Sequence, residues 1–276
     1  MVTLITVILY VFLFLFGVII GSFLNVCILR IPMKETIVTE RSHCMSCGHT
    51  LAWYDLFPLF SYLSLGGKCR YCKAKISPQY PIVEFINGVM AVLCFLLGGF
   101  TVENIINNTV DISDFIYILL KLILSALLCS VLIVISVIDW RTFEIPIGTN
   151  IFILALGLIR LVATLLLGDG NWLDYVIGFF VVSLPLSVIY YISKGRAIGG
   201  GDVKLMAVAG LFLGWKLALV ALITGCLYGS VIHIIRMKLS GEGKQLAMGP
   251  YLSAGIVTAL WFGQYIVEWY SGFFPS

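Results

Sequence analysis

The residues most able to do chemistry are two aspartates at the borders of long apolar runs. Asp139 ends one such run, and Asp202 follows three glycines, Gly199, Gly200 and Gly201, where a polar loop meets an apolar helix. A carboxylate placed this close to apolar sequence is costly in a membrane and therefore indicates a function. Two aspartates at one membrane face could share a proton, so that one activates water while the other polarises a carbonyl group.

The three glycines beside Asp202 predict a close backbone approach. Residues without a Cβ atom accept positive φ and let another backbone come near, which a peptide substrate would need. The competing interpretation is structural: the glycines form a turn, and Asp202 caps the next helix through its backbone N–H groups. Both interpretations stay open here, since capping does not exclude catalysis.

Four cysteines predict a metal site. Cys44 and Cys47 form one CxxC pair, and Cys69 and Cys72 form a second pair 21 residues later. Paired CxxC motifs bring four thiolates together in the tetrahedral arrangement that structural Zn²⁺ takes. Disulfides are the alternative, but they are rare in the reducing cytosol. Two histidines that flank the first pair, His43 and His49, could replace a ligand, although four cysteines already complete a site.

The elements that must position these residues are membrane helices. The chain has 276 residues, of which 61% are hydrophobic and 11% charged, a balance that excludes an ordinary soluble domain. The first apolar run is too long for the core of a signal peptide, so we expect it to be retained as a helix. The predicted spans are residues 2–29, 81–100, 114–138, 149–167, 172–192, 215–235 and 250–270.

Residues 203–214 are predicted to form a short eighth span. Twelve residues rise only about 18 Å as a helix, but without a crossing here the orientations of the flanking loops conflict. A re-entrant segment is the alternative. The expected fold is therefore an all-α polytopic membrane protein with about eight transmembrane helices. Its expected parts are a first helix (residues 1–32), a cytoplasmic zinc-binding domain (33–80) and a multi-helix membrane core (81–276).

Basic residues predict the orientation. If the loop after the first helix lies inside, all of the 17 Lys and Arg residues except Lys121, Arg160 and Lys216 fall on the cytoplasmic side, as the positive-inside rule requires. Both aspartates then lie at that side. Lys121 and Arg160 fall within spans, and we expect their long side chains to reach toward the outer interface.

Several short segments, taken together and in this order, resemble one known family. They are residues 21–26 (GSFLNV), both CxxC pairs with Trp53, Tyr54 and Asp55 between them, residues 80–84 (YPIVE), 139–146 (DWRTFEIP) and 199–205 (GGGDVKL). The chain resembles the type IV prepilin peptidases, the bifunctional leader peptidases and N-methyltransferases among the GxGD-type aspartyl proteases. The resemblance covers nearly the whole chain.

The resemblance implies an enzyme of the bacterial inner membrane. It would cut a short basic leader from prepilin or pseudopilin precursors with Asp139 and Asp202, and then methylate the new N-terminal residue from S-adenosylmethionine. The resemblance associates Cys44, Cys47, Cys69 and Cys72 with the cytoplasmic domain and its methylation activity. Glu84 is a further candidate for that activity. Two departures from the family pattern are Ile147, where Asp or Asn is usual, and Met248, which replaces Phe before Gly249 and Pro250.

Three other functions are weighed against this expectation. Paired membrane carboxylates also serve transporters as proton relays, but those would lie near the midplane of the bilayer. A scaffold with a zinc domain would leave the glycines and Asp202 without a purpose. A peptidase without methylation would not need the intact CxxC pairs. The sequence shows no glycine-rich nucleotide-binding turn that would locate the methyl donor. The expected partners are precursor proteins and membrane lipid, with no nucleic acid.

Overall fold

The computed structural model describes residues 2–38, 41–98, 111–167, 171–240 and 246–273. In these ranges the chain is helical, apart from two isolated β-bridges, so the predicted all-α class is confirmed. The helices are α1 (Val2–Met33), α2 (Phe60–Ser64), α3 (Gln79–Leu97), α4 (Ile112–Thr142), α5 (Ile147–Leu167), α6 (Trp172–Val181), α7 (Ser183–Ser193), α8 (Gly200–Leu213), α9 (Trp215–Ser240) and α10 (Gly249–Ser271).

The chain forms two compact units, Met1–Asn107 and Asn108–Ser276. In the first unit, α1 packs along α3 through small residues. A Cβ atom added to Gly17 would lie 2.9 Å from the Cα atom of Gly88, and one added to Gly21 would lie 2.7 Å from the Cα atom of Glu84. Glycine at these positions therefore lets the two helix backbones approach closely.

Amide side chains join the same two helices. The Asn25 side chain donates to the carbonyl oxygen of Tyr80 at 3.1 Å, and the Asn87 side chain donates to that of Gly17 at 2.7 Å. Both asparagines are buried. Their hydrogen bonds satisfy polar groups that would otherwise be costly in an apolar bundle, so Asn25 has a structural role between helices.

In the second unit, α8 occupies the centre. Its residues from Leu205 to Leu213 are all buried, with Leu205, Met206, Ala209 and Phe212 fully enclosed. A helix that is apolar on every side is expected in the middle of a bundle. The backbone of α8 touches that of α6, because a Cβ atom at Gly178 or at Gly210 would collide with the carbonyl oxygen of the other. This contact fixes α8, which carries Asp202 in its first turn.

Six helical stretches are long and apolar enough to cross a membrane: Thr3–Met33, Gln79–Leu97, Ile112–Thr142, Ile147–Leu167, Trp172–Ser193 and Trp215–Lys238. They coincide with six of the predicted spans and show a multi-pass membrane protein. The other two predicted spans are also helical, as α8 and α10. Helix α8 has only 14 residues.

One predicted span is divided. Residues 172–192 form α6 and α7, which are separated at Val182. Pro185 explains the division, because proline has no N–H group to donate to the preceding turn. The Ser183 hydroxyl donates to the carbonyl oxygen of Phe179 at 2.5 Å, so this carbonyl group of the preceding turn has a hydrogen-bond partner.

The expectation that Arg160 reaches toward the outer interface is wrong. Arg160 is 8% exposed, and its guanidinium lies 4.6 Å from the centre of the Phe212 ring and 5.6 Å from that of Tyr175. The electron-rich ring faces attract the cation inside the bundle. Lys121, in contrast, is exposed.

Candidate active site

Asp139 lies in the last turn of α4 and is 4% exposed. Its Oδ2 atom accepts a hydrogen bond of 2.7 Å from the backbone N–H of Gly249, the first residue of α10. The turn closes after it because Phe143 adopts a left-handed conformation and donates its N–H to the carbonyl oxygen of Asp139. The carboxylate is thus held between the end of one helix and the start of another.

Asp202 is the third residue of α8, and its carboxylate accepts a hydrogen bond from the backbone N–H of Gly199. The N-cap residue of α8 is Gly199, and Asp202 lies inside the first turn, so the prediction that Asp202 caps the helix is wrong. A negative charge in the first turn is still favoured by the N–H groups that have no partner within the helix.

The expectation of positive φ in the glycine segment is wrong. Gly199 has φ −71° and ψ 138°, while Gly200 and Gly201 are the first two residues of α8. Helix formation already determines their backbone conformation. The glycines serve close approach instead: a Cβ atom at Gly199 would lie 2.9 Å from Oδ2 of Asp202, and one at Gly201 would lie 3.1 Å from Cβ of Ile145.

The two aspartates are close enough for their charges to interact. Asp202 precedes the predicted short span 203–214, and burial, followed by the negative charge of Asp139, raises its pKa to about 6. Both causes disfavour the ionised form. Asp202 is therefore suited to hold a proton, and a carboxylate pair that shares one proton can divide the work of acid and base.

Helix N-termini contribute to both positions. Gly249 offers an N–H at the start of α10, and Gly199 offers one at the start of α8. Such N–H groups have no partner within their own helix and favour a negative charge. Gly249 was missed as a site residue by reasoning from sequence, although a glycine followed by Pro250 is a recognisable helix start.

A further acid near Asp139 in sequence is exposed: Glu144 follows the end of α4. Both aspartates lie at helix ends, and this position does not fit a proton relay at the midplane of a bilayer.

The four cysteines of the first unit come together. The sulfur atoms of Cys44, Cys47, Cys69 and Cys72 all lie within 4.8 Å of one another, and those of Cys44 and Cys72 are 3.8 Å apart. Tetrahedral Zn²⁺ with Zn–S bonds of about 2.3 Å separates its sulfurs by about 3.8 Å. None of the four forms a disulfide. The residues therefore fit a zinc ion.

The cluster already favours a thiolate. Backbone N–H groups of Ser46 and Cys47 lower the pKa of Cys44 to about 6. Although the N–H of Ala74 acts in the opposite direction, burial and the other sulfurs raise the pKa of Cys72 to about 11. A thiolate is the form of cysteine that binds a metal ion. His43 and His49 are not members of the four-sulfur cluster, and the ring of His49 lies 3.7 Å from that of Tyr71.

An ion pair supports the second CxxC pair. The Arg70 guanidinium donates to Asp55 at 2.7 Å, and the Tyr71 hydroxyl donates to the same carboxylate at 3.1 Å. Asp55 lies in the short 3₁₀ turn Trp53–Leu56. It therefore ties the segment between the two CxxC pairs to the metal cluster.

A bundle of apolar helices with an acid pair in one unit and a four-cysteine cluster in the other defines the class: a multi-pass membrane protein equipped for acid–base chemistry and metal binding. Comparison with known families identifies it further. Residues 15–97 match the bacterial peptidase A24 N-terminal domain, and residues 126–234 match the type IV leader peptidase family. The chain belongs to the type IV leader peptidase family.

Named relatives agree. The chain is 31% identical to the prepilin leader peptidase/N-methyltransferase of Bacillus subtilis (strain 168), covering 94% of this chain and 96% of that protein. It is 31% identical to the Aeromonas hydrophila protein of the same name, covering 93% and 92%. It is 32% identical to that of Myxococcus xanthus (strain DK1622), covering 84% of this chain but 64% of that protein's length. No solved structure matched the chain.

Proposed function

We propose that this protein removes the leader peptide of type IV prepilins or pseudopilins and then methylates the new N-terminal residue. The observation that carries the proposal is the acid pair, Asp139 and Asp202, at the ends of two helices in a member of the type IV leader peptidase family. The names of the curated relatives support both activities.

Peptide cleavage uses the two aspartates in different protonation states. Ionised Asp139, oriented by the Gly249 N–H, takes a proton from a water molecule as the water oxygen attacks the scissile carbonyl carbon. Protonated Asp202 donates its proton to the carbonyl oxygen. When the tetrahedral intermediate collapses, the C–N bond breaks, Asp139 gives the proton taken from water to the leaving nitrogen, and Asp202 recovers its proton from the hydroxyl group that becomes the carbonyl of the new carboxyl group. No covalent bond to the enzyme forms. Gly199, Gly200 and Gly201 leave room for the substrate backbone.

The first unit supports methylation. Cys44, Cys47, Cys69 and Cys72 would hold a structural zinc ion, which stabilises a polar segment too small to bury a core of its own. S-adenosylmethionine supplies the methyl group when it is bound. The parts of the chain are then a first helix at 1–32, a zinc domain at 33–80 and a peptidase core at 81–276.

The orientation proposal places the zinc domain and both aspartates at the cytoplasmic face of the bacterial inner membrane, with eight spans in all. Its support is the basic residues, most of which then lie inside. Precursor proteins and membrane lipid are the partners.

The test is incubation of the purified protein with a pilin precursor, followed by mass analysis of its N-terminus. Asp139→Asn and Asp202→Asn should each reduce cleavage by at least ~10³-fold, and the double variant should be scarcely worse, because groups that act as one unit are not additive. Asn keeps the shape of the side chain and removes the ionisable proton.

Controls separate chemistry from misfolding. Asp114→Asn makes the same change at an exposed position of α4 and should leave cleavage unchanged. Methylation of a precursor already trimmed to its mature N-terminus should survive both single substitutions. Substantial cleavage by the Asp202→Asn protein, recovered intact in the membrane, would refute the assigned roles.

A further inference from the structure

The first unit contains a cavity that the proposed cleavage does not use. Its volume is about 490 Å³, and it is lined by residues of α1, of the segment between α1 and α3, and of the start of α3. Cavities of about 300 to 1,000 Å³ are the usual size for small-molecule ligands. The cavity therefore has room for a nucleoside-sized molecule.

A buried carboxylate lies in its wall. Glu84 is 6% exposed, and its Oε2 atom accepts a hydrogen bond of 2.7 Å from the N–H of Leu59. The Ser22 side chain also hydrogen-bonds to it. The groups that act on the Glu84 carboxylate are the Leu59 N–H and the Ser22 side chain, and neither carries a positive charge. Burial without a counter-charge disfavours the ionised form of this carboxylate, and a bound cation would favour it.

The lining also contains charged residues of both signs, Arg30, Arg70 and Lys75 with Glu35 and Asp55. Another part of it suits a flat, partly apolar molecule. Val26, Leu29 and Met33 of α1 present an apolar wall, and the rings of Tyr62 and Tyr80 offer surfaces on which an aromatic base can stack. An occupant that complements this cavity combines a positive charge with an aromatic ring system. Adenosine carrying a sulfonium group has both features.

We infer that this cavity binds S-adenosylmethionine and that the Glu84 carboxylate pairs with its sulfonium charge. The inference rests on the proposed methylation and adds the binding site and its anchoring residue. In the transfer, the amine lone pair of the trimmed pilin attacks the methyl carbon and the C–S bond breaks, with both electrons remaining on sulfur. The displaced ammonium proton passes to water. The product, S-adenosylhomocysteine, is neutral at sulfur and so loses its attraction to Glu84, which favours release.

The test measures binding of the two molecules to the full-length protein in lipid nanodiscs by calorimetry. Glu84→Gln keeps the size and hydrogen-bonding capacity of the side chain and removes its charge. It should weaken S-adenosylmethionine binding about tenfold, the usual consequence of losing one charged contact. S-adenosylhomocysteine binding should change much less. Glu268→Gln makes the same change at an exposed position of α10 and should affect neither ligand.

A second measurement locates the ligand independently of any variant. Ultraviolet irradiation with methyl-labelled S-adenosylmethionine should attach label to peptides from residues 22–84, and label confined to residues 108–276 would overturn the inference. Zinc content and thermal midpoint show whether the Glu84→Gln protein is folded.

The outcomes distinguish the two proposals. If the wild-type protein binds and methylates while a folded Glu84→Gln protein binds S-adenosylmethionine equally well, or loses both ligands equally, the inference fails and the proposed function stands. If the wild-type protein neither binds the donor nor methylates a trimmed precursor, the methyltransferase function itself is wrong.

Discussion

Asp139 is positioned by a backbone group and not by another side chain. The N–H of Gly249 donates to Oδ2 at 2.7 Å, and a Cβ atom added to Gly249 would lie 2.7 Å from that same oxygen. Contacts below 3.0 Å require a displacement. Gly249→Ala should therefore move the carboxylate and reduce the rate of leader cleavage by about 10²-fold, the cost of misplacing a catalytic group by about 1 Å. Mass analysis of the precursor measures the rate.

The matched control for this substitution is Gly272, which directly follows the last residue of α10. A Cβ atom at Gly272 would approach no atom closer than 3.4 Å, and its φ of −64° suits alanine. Gly272→Ala should cleave at the wild-type rate. Equal rates for the Gly249→Ala and wild-type proteins would show that the hydrogen bond does not orient Asp139.

Asp202 predicts a pH dependence with a definite sign. Burial and the charge of Asp139 raise its pKa to about 6, so the folded protein holds this proton below pH 6 and loses it above. Protonation therefore favours the folded state at low pH, and this contribution is lost as the pH rises through 6. The rate of cleavage should also fall as the pH rises through 6, because an acid pair that has lost its shared proton cannot polarise the carbonyl group.

Removing one charge should shift that titration. In the Asp139→Asn protein the pKa of Asp202 should be lower, since the neighbouring negative charge is gone while burial remains. Infrared absorption of the protonated carboxyl group, assigned by comparison with Asp202→Asn, follows it across pH. A midpoint that stayed at the wild-type position would mean that the two acids do not interact.

Helix α8 is short, and its residues from Leu205 to Leu213 are all buried. Its 14 residues rise about 21 Å, against about 30 Å of hydrocarbon in a bilayer. Neighbouring helices surround it, so its ends can meet protein and water within the depth of the membrane. We expect α8 to cross, because only then do the basic segment before it and the basic segment after α9 both lie inside.

If α8 crosses, it determines on which side of the membrane two later points of the chain lie. An acceptor peptide for biotin ligase inserted after Ser240 should be modified by cytosolic ligase, and one added after Ser276 should remain unmodified. The reverse pattern would show that α8 enters and leaves on one side. Retained cleavage activity verifies that each insertion is tolerated.

Sequence reasoning was accurate for elements whose signal is local. The six long spans are apolar over nearly their whole length, and the CxxC pairs define both turns of the cysteine cluster. It failed where partners are distant in sequence: 110 residues separate Asp139 from Gly249, and Arg160 is buried against Phe212 from another helix. The division of the helix at Val182 could have been predicted from Pro185. A count of apolar residues alone does not reveal it.

At the scale of the whole molecule, the acid pair and the cysteine cluster belong to different compact units. We expect one Zn²⁺ per chain, measurable by elemental analysis of the purified protein. Cys44→Ser should lose the metal and reduce methylation more than cleavage, because zinc stabilises the unit that contains the proposed methyl-donor site and not the unit that contains the aspartates.

Two results would contradict this division. One is a wild-type protein without zinc whose four thiols are freely alkylated in the native state. The other is equal loss of cleavage and methylation in a Cys44→Ser protein that is still folded in the membrane. Cys226→Ser provides the control, since that cysteine is exposed on α9, outside the cluster.

The hydrogen bond between Gly249 and Asp139 also has a consequence for biosynthesis. Asp139 leaves the ribosome 110 residues before its donor, a delay of roughly 5 to 20 s at typical rates of synthesis of about 5–20 residues per second. Once Asp202 has also been made, both aspartates exist, but the group that orients one of them does not. A nascent chain is therefore expected to hydrolyse precursors much more slowly until Gly249 has been made and α10 has begun to fold.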